Sequence, residues 1–406
     1  MQRLFSYFYA ALLFLTPLIL WPKTSEVFEF NKMLFVYAAT TIITAVWAVK
    51  CILAGKIIFR RTLLDYPLMG LIGVNFLSTL LSIDPRTSWL GYYSRFNGGM
   101  LSILCYSLLY WGFVSNMDKK SALRSLYALL ASAIVVSIYG ILERFGIDKD
   151  VWVQDVQNRV FSTLGQPNWL AAFILALIPL TWATIKKPYS FILSALFFVT
   201  LLLTKSRSGL LGFFLADALF WGLTLLKEKS LVKEFLAHNF ILLAIFLAIG
   251  NPFQATKIMP QDPSPGPALE QGGTESGTIR KIVWKGAFEI WRHYPILGTG
   301  PETFAFAYYN FRPREHNLVS EWDFIYNKAH NEYLNLAANT GTAGLISYLF
   351  LIFASIKVFI RTKRPEFLAG YAGLLVSNFF GFSVVPTQLI LFLFPAFAQI
   401  LNEKYT

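Results

Sequence analysis

The chain has 406 residues, 55% of them hydrophobic and only 14% charged, and its mean hydropathy is +0.52. Soluble globular chains carry about a quarter charged residues, so this composition excludes an ordinary soluble enzyme. The formal net charge of +12 comes largely from Lys and Arg gathered in loops beside apolar blocks, and no nucleic-acid partner is read from it.

The apolar blocks have the length a bilayer-crossing helix needs. They predict an all-α polytopic membrane protein with about twelve transmembrane helices, at 4–21, 33–53, 66–82, 98–115, 123–145, 167–185, 190–204, 210–226, 235–250, 341–360, 367–384 and 387–402. The first block lacks a small-residue cleavage site and further spans follow directly, so it reads as a retained helix. Cys51 and Cys105 fall inside apolar blocks and read as core residues. The organisation expected is one integrated domain: spans one to nine over 1–250, a long polar loop with short helices over 251–330, and the last three spans over 331–406.

Positive charge sets the orientation. With the N-terminus inside, the inner segments hold Lys50, Lys56, Arg60, Arg61, Lys119, Lys120, Arg124, Lys357, Arg361, Lys363 and Arg364 among others, and they outweigh the short outer segments. Both termini are therefore expected in the cytoplasm, with the long loop outside.

Several outer segments carry charge or polarity that a membrane boundary alone does not require. In "DPRTSWLGYYSRFNGG", Trp89, Tyr92 and Tyr93 fit an interfacial aromatic belt, and Arg95, near Asn97 and two glycines, can hold phosphate. In "NRVFSTLGQPNWLAAF", Arg159 precedes a turn opened by Pro167. Gln166 and Asn168 there either cap the helix or meet sugar hydroxyls. In "LLLTKSRSGLLGF", Lys205 can snorkel to lipid headgroups. Arg207, between Ser206 and Ser208, suits a phosphate, since its fork grips two oxygens and a helix N-terminus follows.

The long loop opens with the linker chemistry of "QDPSPGPALEQGGTESG". It then turns amphipathic, with Ile282, Ala287, Phe288 and Trp291 on one predicted apolar face, a helix that lies on the membrane or caps the bundle. At its end stands His330, with Lys328 two residues before it, a cation that keeps the imidazole a neutral base. Ala337, Gly341 and Gly344 follow on one helix face, a spacing that lets membrane helices approach closely. Asp148 with Asp150, and Glu321 with Asp323, have metal-like spacings but read as solvated loop acids.

Taken together, these residues resemble the O-antigen ligase and polymerase superfamily, integral-membrane glycosyltransferases of the GT-C type. His330-Asn331, nine residues, Gly341, two residues and Gly344 is similar to its His motif. "LLLTKSRSGLLGF" is similar to its Arg turn, and "STLGQPNWLAAF" to its Gly-x-Pro-Asn turn. "FEFNK" and "GYYSRFNGG" resemble its first two external loops, and "ESGTIRKIVWKGAFEIWRHYPILGTGPETF" its loop segment before a Gly-x-Gly turn.

The resemblance implies transfer of a glycan from undecaprenyl diphosphate to an acceptor hydroxyl, with inversion, outside the bacterial plasma membrane. It implies no metal and no cofactor. Arg207 and Arg159 would hold the diphosphate and His330 would take the acceptor proton; Arg95, Gln166, Asn168 and Tyr333 are possible glycan or phosphate contacts, with Tyr333 also placed to orient His330. The favoured acceptor is lipid A-core, as for a ligase; a polymerase would extend another carrier-linked glycan. A transporter or lipid-glycan flippase is the reading from another class, but the chain shows no repeated halves and its notable ionisable residues gather on one side.

Overall fold

A computed structural model describes residues 1–184, 186–250 and 276–402. Its regular structure is helical, with no strand among the described residues. In chain order the helices are α1 (Gln2–Leu15), α2 (Glu29–Leu53), α3 (Asp65–Leu80), α4 (Pro85–Leu90), α5 (Met100–Asn116), α6 (Lys119–Arg144), α7 (Pro167–Trp182), α8 (Pro188–Leu203), α9 (Arg207–Leu225), α10 (Val232–Ile249), α11 (Ser276–His293), α12 (Phe304–Phe311), α13 (Glu332–Thr362), α14 (Pro365–Phe379) and α15 (Val385–Ile400). A helix overlaps every predicted apolar stretch. Among the described residues five segments are long and apolar enough to cross a membrane: Glu29–Leu53, Lys119–Arg144, Arg207–Leu225, Lys229–Ile249 and Glu332–Thr362. The linker predicted at the start of the long loop lies almost wholly outside the described residues.

Burial follows the distribution of apolar side chains. Helices α7 and α15 are apolar all round and buried nearly all round, as helices at the centre of a bundle must be. Helix α7 packs on α8, α9 and α14, and α15 on α5, α13 and α14. Helix α10 buries only His238 and Leu242 and sits at the edge, against α8. Cys51 and Cys105 are free thiols.

Two helix starts differ from the sequence expectation because polar residues are buried against protein. The "FEFNK" segment, predicted as an external loop, forms the first turn of α2. Glu29 accepts a hydrogen bond from the Val385 N–H (2.7 Å) at the start of α15, and Lys32 donates to the Thr163 carbonyl (2.8 Å). Helix α13 likewise begins at Glu332, well before the predicted 341, with Asn331 capping the Leu334 N–H (3.1 Å).

Helix α13 contains the feature that ties the loop to the bundle. Gly341 has φ 66° and ψ −168°, which breaks the helix. A break frees backbone donors and acceptors that must find partners, and the segment 295–300 supplies them. Thr342 N donates to Pro295 O (2.8 Å) and Ala343 N to Ile296 O (3.1 Å), while Thr299 N donates to Ala338 O (3.3 Å) and Gly300 N to Asn339 O (2.8 Å). Gly341, expected from its spacing to be a small residue on a continuous helix face, is instead the seat of this docked segment. A Cβ on Gly341 would fall 2.2 Å from the Ile296 carbonyl oxygen, and one on Gly298 2.3 Å from Asn339 backbone atoms.

The outer part of the loop packs as a smaller core. Ile279, Val283, Ala287 and Ile290 of α11 are buried with Phe304 and Tyr308 of α12 and with Ala338 of α13. This face differs from the predicted one: Phe288 is half exposed, and the Trp291 indole donates to Thr342 Oγ1 (3.0 Å). The apolar stripe is the one that meets α12 and α13, so α11 caps the bundle's end.

Gly341→Ala forces a side chain into a backbone region that is essentially restricted to glycine, a strain of about 1–3 kcal/mol before any clash. We expect its melting temperature in detergent to fall by several degrees. Gly70→Ala, where a Cβ would meet nothing within 4 Å, should leave it unchanged. Equal melting of both variants would contradict the account of the break.

Candidate active site

Five chain segments converge at the end of the bundle covered by α11. The first is the turn between α4 and α5, in which Gly91, Phe96 and Gly98 all have positive φ. It presents Arg95, whose guanidinium carbon lies 5.1 Å from the ring centroids of both Trp169 and Phe382. Nη1 of Arg95 is buried and has no hydrogen-bond partner.

The second and third segments meet at Asn168. Pro167 starts α7, Gln166 is its N-cap residue with no side-chain cap bond, and Asn168 is therefore in the first turn. The Asn168 carbonyl oxygen accepts from Arg159 Nη2 (3.4 Å) and Ser206 Oγ (2.8 Å), so neither Gln166 nor Asn168 caps the helix with its side chain. Arg159 Nε also donates to the Thr204 carbonyl (3.0 Å). Thus Arg159 is fastened to the turn between α8 and α9. In that turn Ser206 is the N-cap of α9, accepting from Gly209 N, and Arg207 stands exposed at the first helical position. Lys205 donates to Asn158 Oδ1, so its ammonium is tied to protein rather than left to snorkel.

The fourth and fifth segments are α11, with Arg280, and the strap 326–331, with His330. His330 has φ 52° and precedes the N-cap of α13. Its ring centroid lies 5.6 Å from that of Tyr326 and 5.5 Å from that of Phe382. Phe382 therefore touches both His330 and Arg95, and Trp169, 5.9 Å from Phe382, links this pair to neighbouring Asn168 and hence to Arg159.

Two sequence expectations change here. Tyr333 does not orient His330: its hydroxyl donates to the Leu375 carbonyl (3.1 Å), and His330 lies ahead of α13, which begins at Glu332. Lys328 is not the cation acting on the imidazole, because its ammonium is paired with Glu302. Arg280 and Arg95 take that role. His316, the other late-loop histidine, has both ring nitrogens engaged, Nδ1 with the Tyr308 hydroxyl (2.7 Å) and Nε2 with the Glu321 carbonyl (3.2 Å).

The electrostatics are those of a site short of negative charge. Arg95, Arg159 and Arg280 make no ion pair with a carboxylate among the described residues. Burial lowers the pKa of Arg159, and the Arg280 charge lowers it further. Burial also lowers that of Arg280, with Glu321 acting in the opposite direction. His330 is pushed down to about 4, first by burial, then by Arg280 and Arg95. Partly desolvated guanidiniums that repel one another are stabilised by an anion, and a diphosphate offers the oxygens their forks can grip. Among the described residues no three His, Cys, Asp or Glu side chains converge as a metal set. Asp148 accepts from Tyr139, and Glu321 from Tyr326.

Arg280, Trp169 and Phe382 escaped the sequence reading. Arg280 is one of several cations on an amphipathic helix, and only packing distinguishes it. Trp169 and Phe382 look like ordinary membrane aromatics until their shared contact with Arg95 is seen.

Residues 192–349 match the family described as O-antigen ligase. No curated protein matches the chain. Arg207, Arg280 and His330 lie inside the matched segment; Arg95, Arg159 and Asn168 lie before it and join the site by packing.

Inorganic pyrophosphate should raise the melting temperature of the purified protein, since a ligand that binds only the folded state stabilises it. The shift should shrink in Arg159→Gln and Arg280→Gln. An equal shift in all three proteins would remove these residues from anion binding.

Proposed function

We propose, for a chain whose residues 192–349 match the family described as O-antigen ligase, that it is an inverting glycosyltransferase using an undecaprenyl-diphosphate-linked glycan as donor. Its acceptor is a hydroxyl of lipid A-core, and the reaction occurs on the periplasmic side of the bacterial inner membrane. The observation that carries this reading is a chain of guanidiniums, Arg95 and Arg280 acting on the half-buried His330 and Arg159 beside Arg280, none of them in an ion pair among the described residues.

In the proposed reaction the acceptor oxygen attacks the anomeric carbon and its proton passes to the free imidazole nitrogen of His330. The bond from that carbon to the diphosphate oxygen breaks, and the electron pair leaves with the diphosphate. Arg159, Arg280 and Arg207 meet the developing charge, work that fixed cations in a partly dehydrated site do well. Guanidiniums supply this charge without a metal. Arg95, held between two rings, has a buried Nη1 without a hydrogen-bond partner, which a donor oxygen reaching it would satisfy.

A base with a pKa of about 4 is weak at neutral pH. Burial, the larger cause, persists when donor binds, but the diphosphate offsets the part due to Arg280 and Arg95 and raises the imidazole pKa part of the way back. The sign follows: His330 must be neutral to act, so activity falls as pH drops through its pKa. The free protein sets the acid limb of kcat/KM and the donor complex that of kcat. We expect the limb of kcat/KM near pH 4 and that of kcat at higher pH. Coincident limbs would contradict the coupling.

The direct test is transfer by purified protein in EDTA, with donor binding measured separately. His330→Ala should lose about 10²–10⁴-fold in turnover and keep donor binding. Arg207→Lys should be badly impaired while Lys205→Ala stays mild, since lysine lacks the two-pronged grip. Normal turnover in His330→Ala, or activity that needs added divalent metal, would overturn the mechanism.

A further inference from the structure

Two residues before His330, Lys328 is buried and paired with buried Glu302. Its ammonium lies 5.7 Å from the centroid of Phe382, the ring that also contacts His330 and Arg95. Glu302 has φ 62° and follows directly on the segment docked into the α13 break. The Arg95 turn closes over it: a Cβ on Gly98 would fall 2.2 Å from Glu302 Oε1. Glu302, Lys328 and Glu332 share a small cavity of about 60 Å³, room for water.

The strap carrying His330 is thus fastened on both sides of the histidine. Lys328 is held by Glu302, Ala329 N donates to Asn335 Oδ1 (3.1 Å), and Asn331 Oδ1 accepts from Leu334 N (3.1 Å). Between these anchors His330 adopts φ 52°. A non-glycine residue stays in that region only where its surroundings over-determine it. A buried ion pair is often no more stabilising than an apolar replacement, whereas its geometry is specific.

From this arrangement we infer that the buried Glu302–Lys328 pair fixes the aim of His330, with Glu302 a positioning residue that acts through Lys328. The inference rests on the reading of His330 as the base. Charged and titratable groups facing the imidazole from neighbouring elements are Arg280 of α11, Arg95 of the α4–α5 turn and Tyr326 of the loop. Glu302 and Glu332 act on Lys328. Releasing Lys328 lets the strap relax, opens the imidazole to water and takes it away from Arg95 and Arg280.

Three full-length proteins test this: Glu302→Gln, Lys328→Met, and the exchanged pair Glu302→Lys with Lys328→Glu. Misplacement by about 1 Å costs on the order of 10²-fold. We expect turnover in each single variant to drop about 10–100-fold, with KM for the donor within about twofold. The acid limb of kcat/KM should move up by about one pH unit as burial is lost, and the exchanged pair should recover at least about tenfold of the turnover. Singles that turn over like the native protein would overturn the inference. So would lost turnover with an unmoved acid limb and no recovery on exchange, the mark of a merely structural pair. If a single variant fails to fold, Glu302→Asp and the exchanged pair carry the same comparison. If the native protein transfers nothing from any donor, the proposed function fails, and the strap is judged by NMR titration of His330 alone. A raised imidazole pKa in Glu302→Gln then supports the positioning role, and an unchanged one overturns it.

Discussion

The site depends on a helix that is broken in one place. At Gly341 the backbone of α13 leaves helical geometry, and the segment 295–300 docks into the gap through backbone hydrogen bonds on both sides of it. This seam fastens the segment that carries α11 and α12 to the bundle. It also sets positions on either side. Towards the N-terminus of α13 lie Asn331 and His330; beyond the docked segment lies Glu302, which reaches back to Lys328. Alanine at position 341 would meet the Ile296 carbonyl, so the seam needs glycine for both conformation and space.

A second constraint is electrostatic. Most charged groups near a membrane boundary either reach water or pair with an opposite charge. Lys328 and Arg364 pair with Glu302 and Glu366. Arg159 is instead tied to neutral acceptors, Thr204 O and Asn168 Oδ1, and Arg95 to aromatic rings. These contacts fix direction without cancelling charge, which leaves the cations to an anionic ligand. The rings of Trp169 and Phe382 displace water from Arg95 and His330, and so strengthen the field there.

Much of this was legible in the sequence, for definite reasons. Apolar blocks of membrane length mark the helices, and a helix overlaps each predicted stretch, since few other solutions satisfy backbone groups in lipid. His330, Arg207 and Arg159 stood out because cations and an imidazole beside apolar runs ask for partners. What could not be read was anything set by contacts across the chain. Gly341 looked like a helix-packing residue because a break leaves no periodic signature. Three residues apart, Tyr333 and His330 have helical spacing, yet the helix starts at Glu332, after the histidine. Lys328 is close to the imidazole in sequence, while its partner, Glu302, lies 26 residues earlier. Arg280 was hidden among other cations of α11. In each case the deciding neighbour is distant along the chain.

The central claim is that the arginines around His330 form a diphosphate site and that filling it turns the histidine into a usable base. The most direct measurement is the His330 imidazole pKa, followed by NMR in detergent with and without undecaprenyl diphosphate. The chain has only four histidines, so the resonance can be assigned with a single His330→Ala control. A value near 4 is expected for the free protein, rising when the diphosphate is bound but staying below the ordinary histidine value of about 6.5, because the burial of the ring persists. A pKa that is the same with and without saturating ligand would contradict it.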